Sequence, residues 1–174
     1  MQKSHLNKLL SLTILSGLLF AFPLPTEAVD YTFTKIADSA QFTRGFEGHP
    51  AINNRGSVAF KAFLNTGGDG VVTGDGGPLT KIADTTGSFG NLGDLVRMNE
   101  RGTVAFMASL NTGGFGIFTG PDTITNKVIA TGDSLFGSTV TFVAHPVIND
   151  PGQVAFRVSL ADGTTSIVRA DPRH

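Results

Sequence analysis

One unit is written three times in this chain. Asn53-Asn54-Arg55-Gly56-Ser57-Val58-Ala59-Phe60 returns as Asn99-Glu100-Arg101-Gly102-Thr103-Val104-Ala105-Phe106, and again as Asn149-Asp150-Pro151-Gly152-Gln153-Val154-Ala155-Phe156. The copies start 46 and then 50 residues apart. Self-similarity at such a period restricts the chain to repeat architectures, in which each unit buries its apolar face against its neighbours. Repeats of this kind build binding surfaces more readily than a single catalytic pocket.

Each unit reads as four short strands. Val58, Phe60, Ala62 and Leu64 alternate with Ala59, Lys61 and Phe63, and the same period of two runs through Val104 to Leu110 and Val154 to Leu160. This alternation is the mark of a strand with one face in a core. The Asn-x-x-Gly ahead of it is turn chemistry: asparagine bonds its own backbone and glycine accepts positive φ. Asn53, Gly56, Asn99, Gly102, Asn149 and Gly152 are therefore assigned to structural turns. A short first strand precedes each turn, as in Pro50-Ala51-Ile52 and Pro146-Val147-Ile148. Hairpin loops at Asn65-Thr66-Gly67-Gly68, Asn111-Thr112-Gly113-Gly114 and Asp162-Gly163 lead to third strands. Fourth strands are expected at Leu79 to Ala83 and Ile124 to Ala130.

The ends of the chain are offset. The third unit has no fourth strand, whereas Thr34-Lys35-Ile36-Ala37-Asp38 copies Thr80-Lys81-Ile82-Ala83-Asp84 without three strands before it. The expectation is that residues 31–38 complete the last sheet and close a ring, which removes an exposed sheet edge. The fold class is then all-β, with three four-stranded units near 39–84, 85–130 and 131–170 in a β-propeller-like arrangement. Propellers typically have about four to eight blades. Three units leave three forms open: an array completed by self-association, an open arc, or a threefold fold such as a β-trefoil or β-prism.

The N-terminus reads as a secretory signal over residues 1–28. Lys3 and Lys8 precede an apolar stretch from Leu9 to Phe22, and Thr26-Glu27-Ala28 supplies small residues for cleavage. The apolar stretch is shorter than a membrane span. The remaining residues 29–174 form one domain, expected to be periplasmic or extracellular, with no membrane span after cleavage. There is no cysteine, so disulfides, thiolate metal sites and a cysteine nucleophile are excluded. The balance of 13 basic and 14 acidic residues has no run of one sign, which disfavours nucleic acid as a partner.

The three N-x-x-G-x-V-A-F copies, the stretch Thr73 to Asp84 and Gly116-Ile117-Phe118-Thr119-Gly120 carry a resemblance. Over residues 31–170 the chain resembles the exported bacterial tandem-repeat family named for its Asn-x-x-Gly-x-x-Ala-Phe motif. That resemblance implies a propeller-like fold and export, and it implies no activity for any residue. The chain departs from the family in having few copies and no sorting tail.

Several constellations invite a chemical reading. Gly132-Asp133-Ser134-Leu135 with Asp171-Pro172-Arg173-His174 spells the nucleophile and Asp-x-x-His blocks of GDSL-type hydrolases. Ser134 would attack an ester, with His174 as base oriented by Asp171. Those enzymes are α/β folds, and this chain shows no helical periodicity. The Ser134 segment also aligns with Ala83 to Gly87, so repeat ancestry accounts for it. His49 and His145 occupy equivalent positions, but two imidazoles without acidic partners do not define a metal site. Asp69 and Asp75 lie in glycine-rich loops whose carboxylates are too sparse for calcium. No metal and no cofactor is assigned.

What remains is a surface. Lys61, Met107 and Arg157 share one strand position, and Phe63, Ser109 and Ser159 lie two residues on. Variation at fixed positions of one scaffold suits a binding face built on Lys61, Phe63, Met107 and Arg157; it also suits packing between sheets. The expected function is a non-catalytic binding, interaction or structural module. Its partner would be a protein or glycan, with self-association one way to complete the array.

Overall fold

The computed structural model describes residues 29–172. The signal read at residues 1–28, and His174, lie outside the described residues. Residues 29–32 fall in a separate N-terminal unit with no regular element, and every strand belongs to the unit that starts at Phe33.

Among the described residues the fold is all-β apart from one 3-10 turn, Ser39–Gln41. Twelve strands come after it in order: β1 (Phe46–Ile52), β2 (Val58–Phe63), β3 (Asp69–Gly74), β4 (Thr80–Asp84), β5 (Phe89–Met98), β6 (Val104–Leu110), β7 (Phe115–Phe118), β8 (Lys127–Ala130), β9 (Ser134–Leu135), β10 (Ser138–Ile148), β11 (Val154–Leu160) and β12 (Thr165–Ala170). They form an eight-stranded sheet of order β4-β3-β2-β1-β5-β6-β7-β8 and a four-stranded sheet of order β12-β11-β10-β9. The eight-stranded sheet is two antiparallel halves, joined by a single parallel pairing of His49 with Leu95. Gly48 makes this junction feasible. Its φ is +78°, and a Cβ there would lie 2.1 Å from the Asp94 carbonyl oxygen, so the two backbones meet where no side chain fits.

The first strands are longer than the sequence pattern suggests. β1, β5 and β10 each carry a register break, between Glu47 and Ala51, Leu92 and Val96, and Ala144 and Val147. A bulge inserts an unpaired residue and shifts the alternation by one, which hides period two from a reading of the sequence. The second strands keep strict alternation, and their two faces go to different neighbours.

Ala59, Val71 and Ala83, on one face of the first half, pack against Phe89, Leu92, Val96, Phe106 and Phe118 of the second half. Ile117 and Ile129 on the far face of the second half pack against Val140, Val143, Phe156 and Val158 of the four-stranded sheet. Each small-residue face thus receives the phenylalanine-bearing face of the next unit. Phe89, Phe106 and Phe118 are fully buried, with Phe89 edge-on to Phe106 at 5.8 Å and to Phe118 at 4.9 Å between ring centres.

The expected closing strand is corrected here. Residues 33–38 form no strand, and β12 pairs with β11 alone among the described residues. Ile36 and Ala37 pack instead with Phe42, Phe60, Ala62 and Val72, on the front of the first half. Among the described residues no preceding sheet covers that apolar face, and the segment beside it does. The capped turn at Ser39–Gln41 and buried Phe42 also tether the segment there: four residues reach about 14 Å, whereas two intersheet spacings are about 20 Å. The third unit accordingly has three of its own strands, plus the two-residue β9 on the other edge of β10.

Phe106→Ala removes the ring at the centre of the first interface and should cost about 3–5 kcal/mol. Urea unfolding measures it; a loss under about 1 kcal/mol, the level of an ordinary surface change, would mean these faces do not carry the fold.

Candidate interaction surface

The three Asn-x-x-Gly turns share one construction. The asparagine carbonyl accepts the glycine N–H three residues on, at 3.0, 3.0 and 2.9 Å, with φ of 81°, 84° and 88° at Gly56, Gly102 and Gly152. Within the turn, Asn53 Oδ1 accepts the N–H groups of Arg55 and Ser57, both at 3.1 Å, and Asn99 Oδ1 accepts those of Arg101 and Thr103. The amide nitrogen is left to reach outward. Asn53 Nδ2 donates to the Asn99 carbonyl at 3.3 Å, and Asn99 Nδ2 donates to the Asn149 carbonyl at 3.0 Å.

A second rung runs alongside. The Asn54 N–H donates to the Glu100 carboxylate at 2.9 Å, and the Glu100 N–H donates to Asp150 Oδ1 at 3.0 Å. Asn53 and Asn99 are buried, and each of their side-chain polar atoms has a partner. The turns assigned from sequence to structure are therefore also the links between units.

The third turn breaks the pattern. Pro151 has no N–H to offer Asn149 Oδ1, which keeps only the Gln153 N–H at 2.9 Å. Asn149 Nδ2 folds back onto Gln153 Oε1 at 2.7 Å, and Gln153 in turn donates to Asp171. Asn149 is exposed, unlike its two equivalents.

The predicted surface residues separate. Lys61 is corrected from a surface candidate to a buried ion: it is 2% exposed and lies between the halves of the large sheet. Its ammonium is held by Glu47 at 2.9 Å, Asp94 at 3.3 Å and Asp69 at 3.4 Å. Burial pulls the Lys61 pKa down, but the bonds to Glu47 and Asp94 and the charges of Asp69 and Glu47 outweigh it, and the net shift is upward. Met107 is half-buried against the next sheet. Phe63 is half-buried under the Arg44 guanidinium, 4.0 Å above its ring. Arg157 alone of the strand-position trio is exposed, 5.9 Å from the Phe142 ring centre.

Sequence reasoning names Arg157 but misses the open face around it. Val71, Ile117 and Ile167 occupy one register position, opposite Lys61, Met107 and Arg157 respectively. Val71 and Ile117 are 0% exposed and Ile167 is 78% exposed. The small-residue face of the third unit thus lies open, with Arg157, Ile167 and Arg169 on it. The signal is present in sequence as an isoleucine aligned with two core residues, but its exposure depends on whether another unit covers the last one.

The other candidates do not assemble. Ser134 pairs with Thr139 on one edge of the four-stranded sheet, and Asp171 comes after β12 on the other edge. Three strand spacings are about 14 Å, and the length of β11 between the two ends adds about 20 Å along the strands. Asp69 is engaged by Lys61, and Asp75 accepts the Gly77 N–H within its own turn. Among the described residues no three histidine, aspartate or glutamate side chains gather as metal ligands, His49 and His145 included. A shallow apolar cleft of about 260 Å³ lies beside Ile36, Phe46 and Phe60, below the roughly 300–1,000 Å³ of ordinary ligand pockets.

Residues 28–170 match the model of a family of unknown function, DUF7453. The chain belongs to this family. No curated protein and no solved structure matches it. The family spans all twelve strands, so the turn ladder and the open third face both lie within its bounds.

Asn99→Asp retains acceptors for Arg101 and Thr103 but has no donor for the Asn149 carbonyl. It should cost about 1–3 kcal/mol in urea unfolding. Asn149→Asp, at the exposed copy, should stay within about 0.5 kcal/mol. Equal losses at both positions would refute the link between units.

Lys61 makes a pH prediction. Its folded pKa lies above the ordinary 10.5, so its stabilisation is complete below that value and is lost as pH rises through the raised one. The stability gap between the wild type and Lys61→Met should therefore hold constant from neutral pH to about 10 and then close. A gap that closes below about pH 9 would contradict the three-carboxylate cage.

Proposed function

We propose that this chain is an exported, non-catalytic interaction module of propeller-like repeat type, acting in the periplasm or outside the cell on a protein or glycan partner. The observation that carries the reading is where its buried polar groups go. Asn53, Asn99 and Lys61 are the buried polar side chains among the described residues, and all three are spent joining one unit to the next. Catalytic groups by contrast are held poised in a cleft, with their polar atoms turned toward a substrate. The wide separation of Ser134 from Asp171 supports the same reading over ester hydrolysis. Export rests on the charged and apolar pattern of residues 1–28.

Two measurements test this. Purified protein should hydrolyse p-nitrophenyl acetate no faster than Ser134→Ala does; activity that Ser134→Ala abolishes would establish the hydrolase reading instead. Expressed in a bacterial host, the protein should be recovered outside the cytoplasm with Val29 as its first residue; recovery in the cytoplasm with residues 1–28 intact would refute export.

A further inference from the structure

The two ends of the unit array are complementary. At the back, the third unit leaves open a face whose equivalents are sealed in the first and second units: Ile167 is 78% exposed where Val71 and Ile117 are 0%. At the front, the first unit bears a phenylalanine face around Phe60 that, among the described residues, no sheet covers; the segment with Ile36, Ala37 and Phe42 packs there. Everywhere else in the chain these two kinds of face meet each other.

The second rung of the turn ladder has matching ends as well. The Asp150 N–H, equivalent to the Asn54 and Glu100 donors, makes no bond among the described residues. Asn54, at the other end, carries a side-chain acceptor at the position where Glu100 and Asp150 receive such a donor. One end offers what the other takes.

The third unit also has an unfilled strand position. β3 and β7 each pair with a fourth strand, β4 and β8, while β12 has none among the described residues. Thr34-Lys35-Ile36-Ala37-Asp38 repeats the sequence of β4. It already holds the same local ion pair, Lys35 to Asp38, that β4 holds between Lys81 and Asp84. The segment cannot fill the position within its own chain while Phe42 is seated, because its tether is too short.

We propose that the open face of the third unit is completed by a second copy of this chain. The first unit of that copy stacks on the Ile167 face, as the second unit stacks on the first, and its residues 34–38 pair along β12 as a fourth strand. Two copies joined in this way at both ends form a closed six-unit ring, within the range of propeller blade numbers, and the closure leaves neither array with an open end. The contact is head-to-tail, so each protomer uses both of its ends. Leaving the Phe60 face frees the segment for the partner in the same movement that exposes the face to be stacked. The inference stands apart from the non-catalytic reading, since an active hydrolase could pair in the same way.

The register gives a direct test. Val71 lies opposite Ala83 across β3 and β4, so by equivalence Ile167 of one copy lies opposite Ala37 of the other. Cross-strand neighbours are within reach of a disulfide, and the chain has no cysteine of its own to interfere. The double variant Ala37→Cys with Ile167→Cys, oxidised in solution, should run at twice the protomer mass without reductant and at the protomer mass with it. A bridge within one chain, or no bridge, overturns the proposal. Light scattering on the unsubstituted protein provides the second reading. Two copies are expected, and Ile167→Asp should return the mass to one copy with an unchanged circular dichroism spectrum. A single copy at about 100 µM, a mass that grows without limit, or a dimer indifferent to Ile167→Asp overturns it as well.

Discussion

An asparagine side chain has one acceptor and one double donor, and this fold uses the two for different tasks. At Asn53 and Asn99 the oxygen holds the local turn, while the nitrogen crosses to the carbonyl of the equivalent residue in the following unit. Local turn geometry and intersheet spacing are thereby set by one amide group. Because both residues are buried, an unmet donor or acceptor would carry its full desolvation cost. The arrangement is consequently close to all-or-none: a turn that forms correctly also presents its carbonyl where the preceding unit needs it. The apolar faces supply most of the driving force, but they are less directional. The ladder fixes how far and at what register they meet.

Lys61 shows how a common scaffold position takes different occupants. In the second unit the position holds Met107, which is uncharged and needs no partner. In the first it holds a cation, and three carboxylates converge on it from β1, β3 and β5. A buried charge is tolerated only when it is paired, and the pairing here spans both halves of the large sheet. In the third unit Arg157 is exposed, because among the described residues no sheet lies over it. One position thus serves as packing, as an ionic cross-link and as surface, according to what stands opposite.

The second strands and the turns are legible in the sequence, since their alternation is unbroken and their glycines recur. The first strands are legible only in part. Bulges at Glu47–Ala51, Leu92–Val96 and Ala144–Val147 shift the alternation within each strand, so only the last few residues keep a readable period. Residues 33–38 copy β4 in sequence, yet they do not lie on the last sheet of their own chain. Local sequence similarity reports a conformational preference, whereas placement depends on which apolar face lacks cover and how far the chain can reach. The open third face is illegible for a related reason: Ile167 looks like Val71 and Ile117, and only the sheet arrangement of the described residues shows that nothing there covers it.

The forward-pointing amide also bears on how such a chain can lengthen. A turn that bonds to its successor in the same way at every internal step does not distinguish one internal unit from another. A segment of this length duplicated in tandem would enter the stack with its turn contacts already specified, whereas the Lys61 cage, which draws on Asp94 of the second unit, is particular to its own interface. The boundary residues are committed to their places too: Phe42, which shields the leading face, and Gln153, which occupies the amide that would otherwise reach onward. Growth by whole units then asks nothing new of the turns, while each new pair of faces must settle its own side-chain contacts.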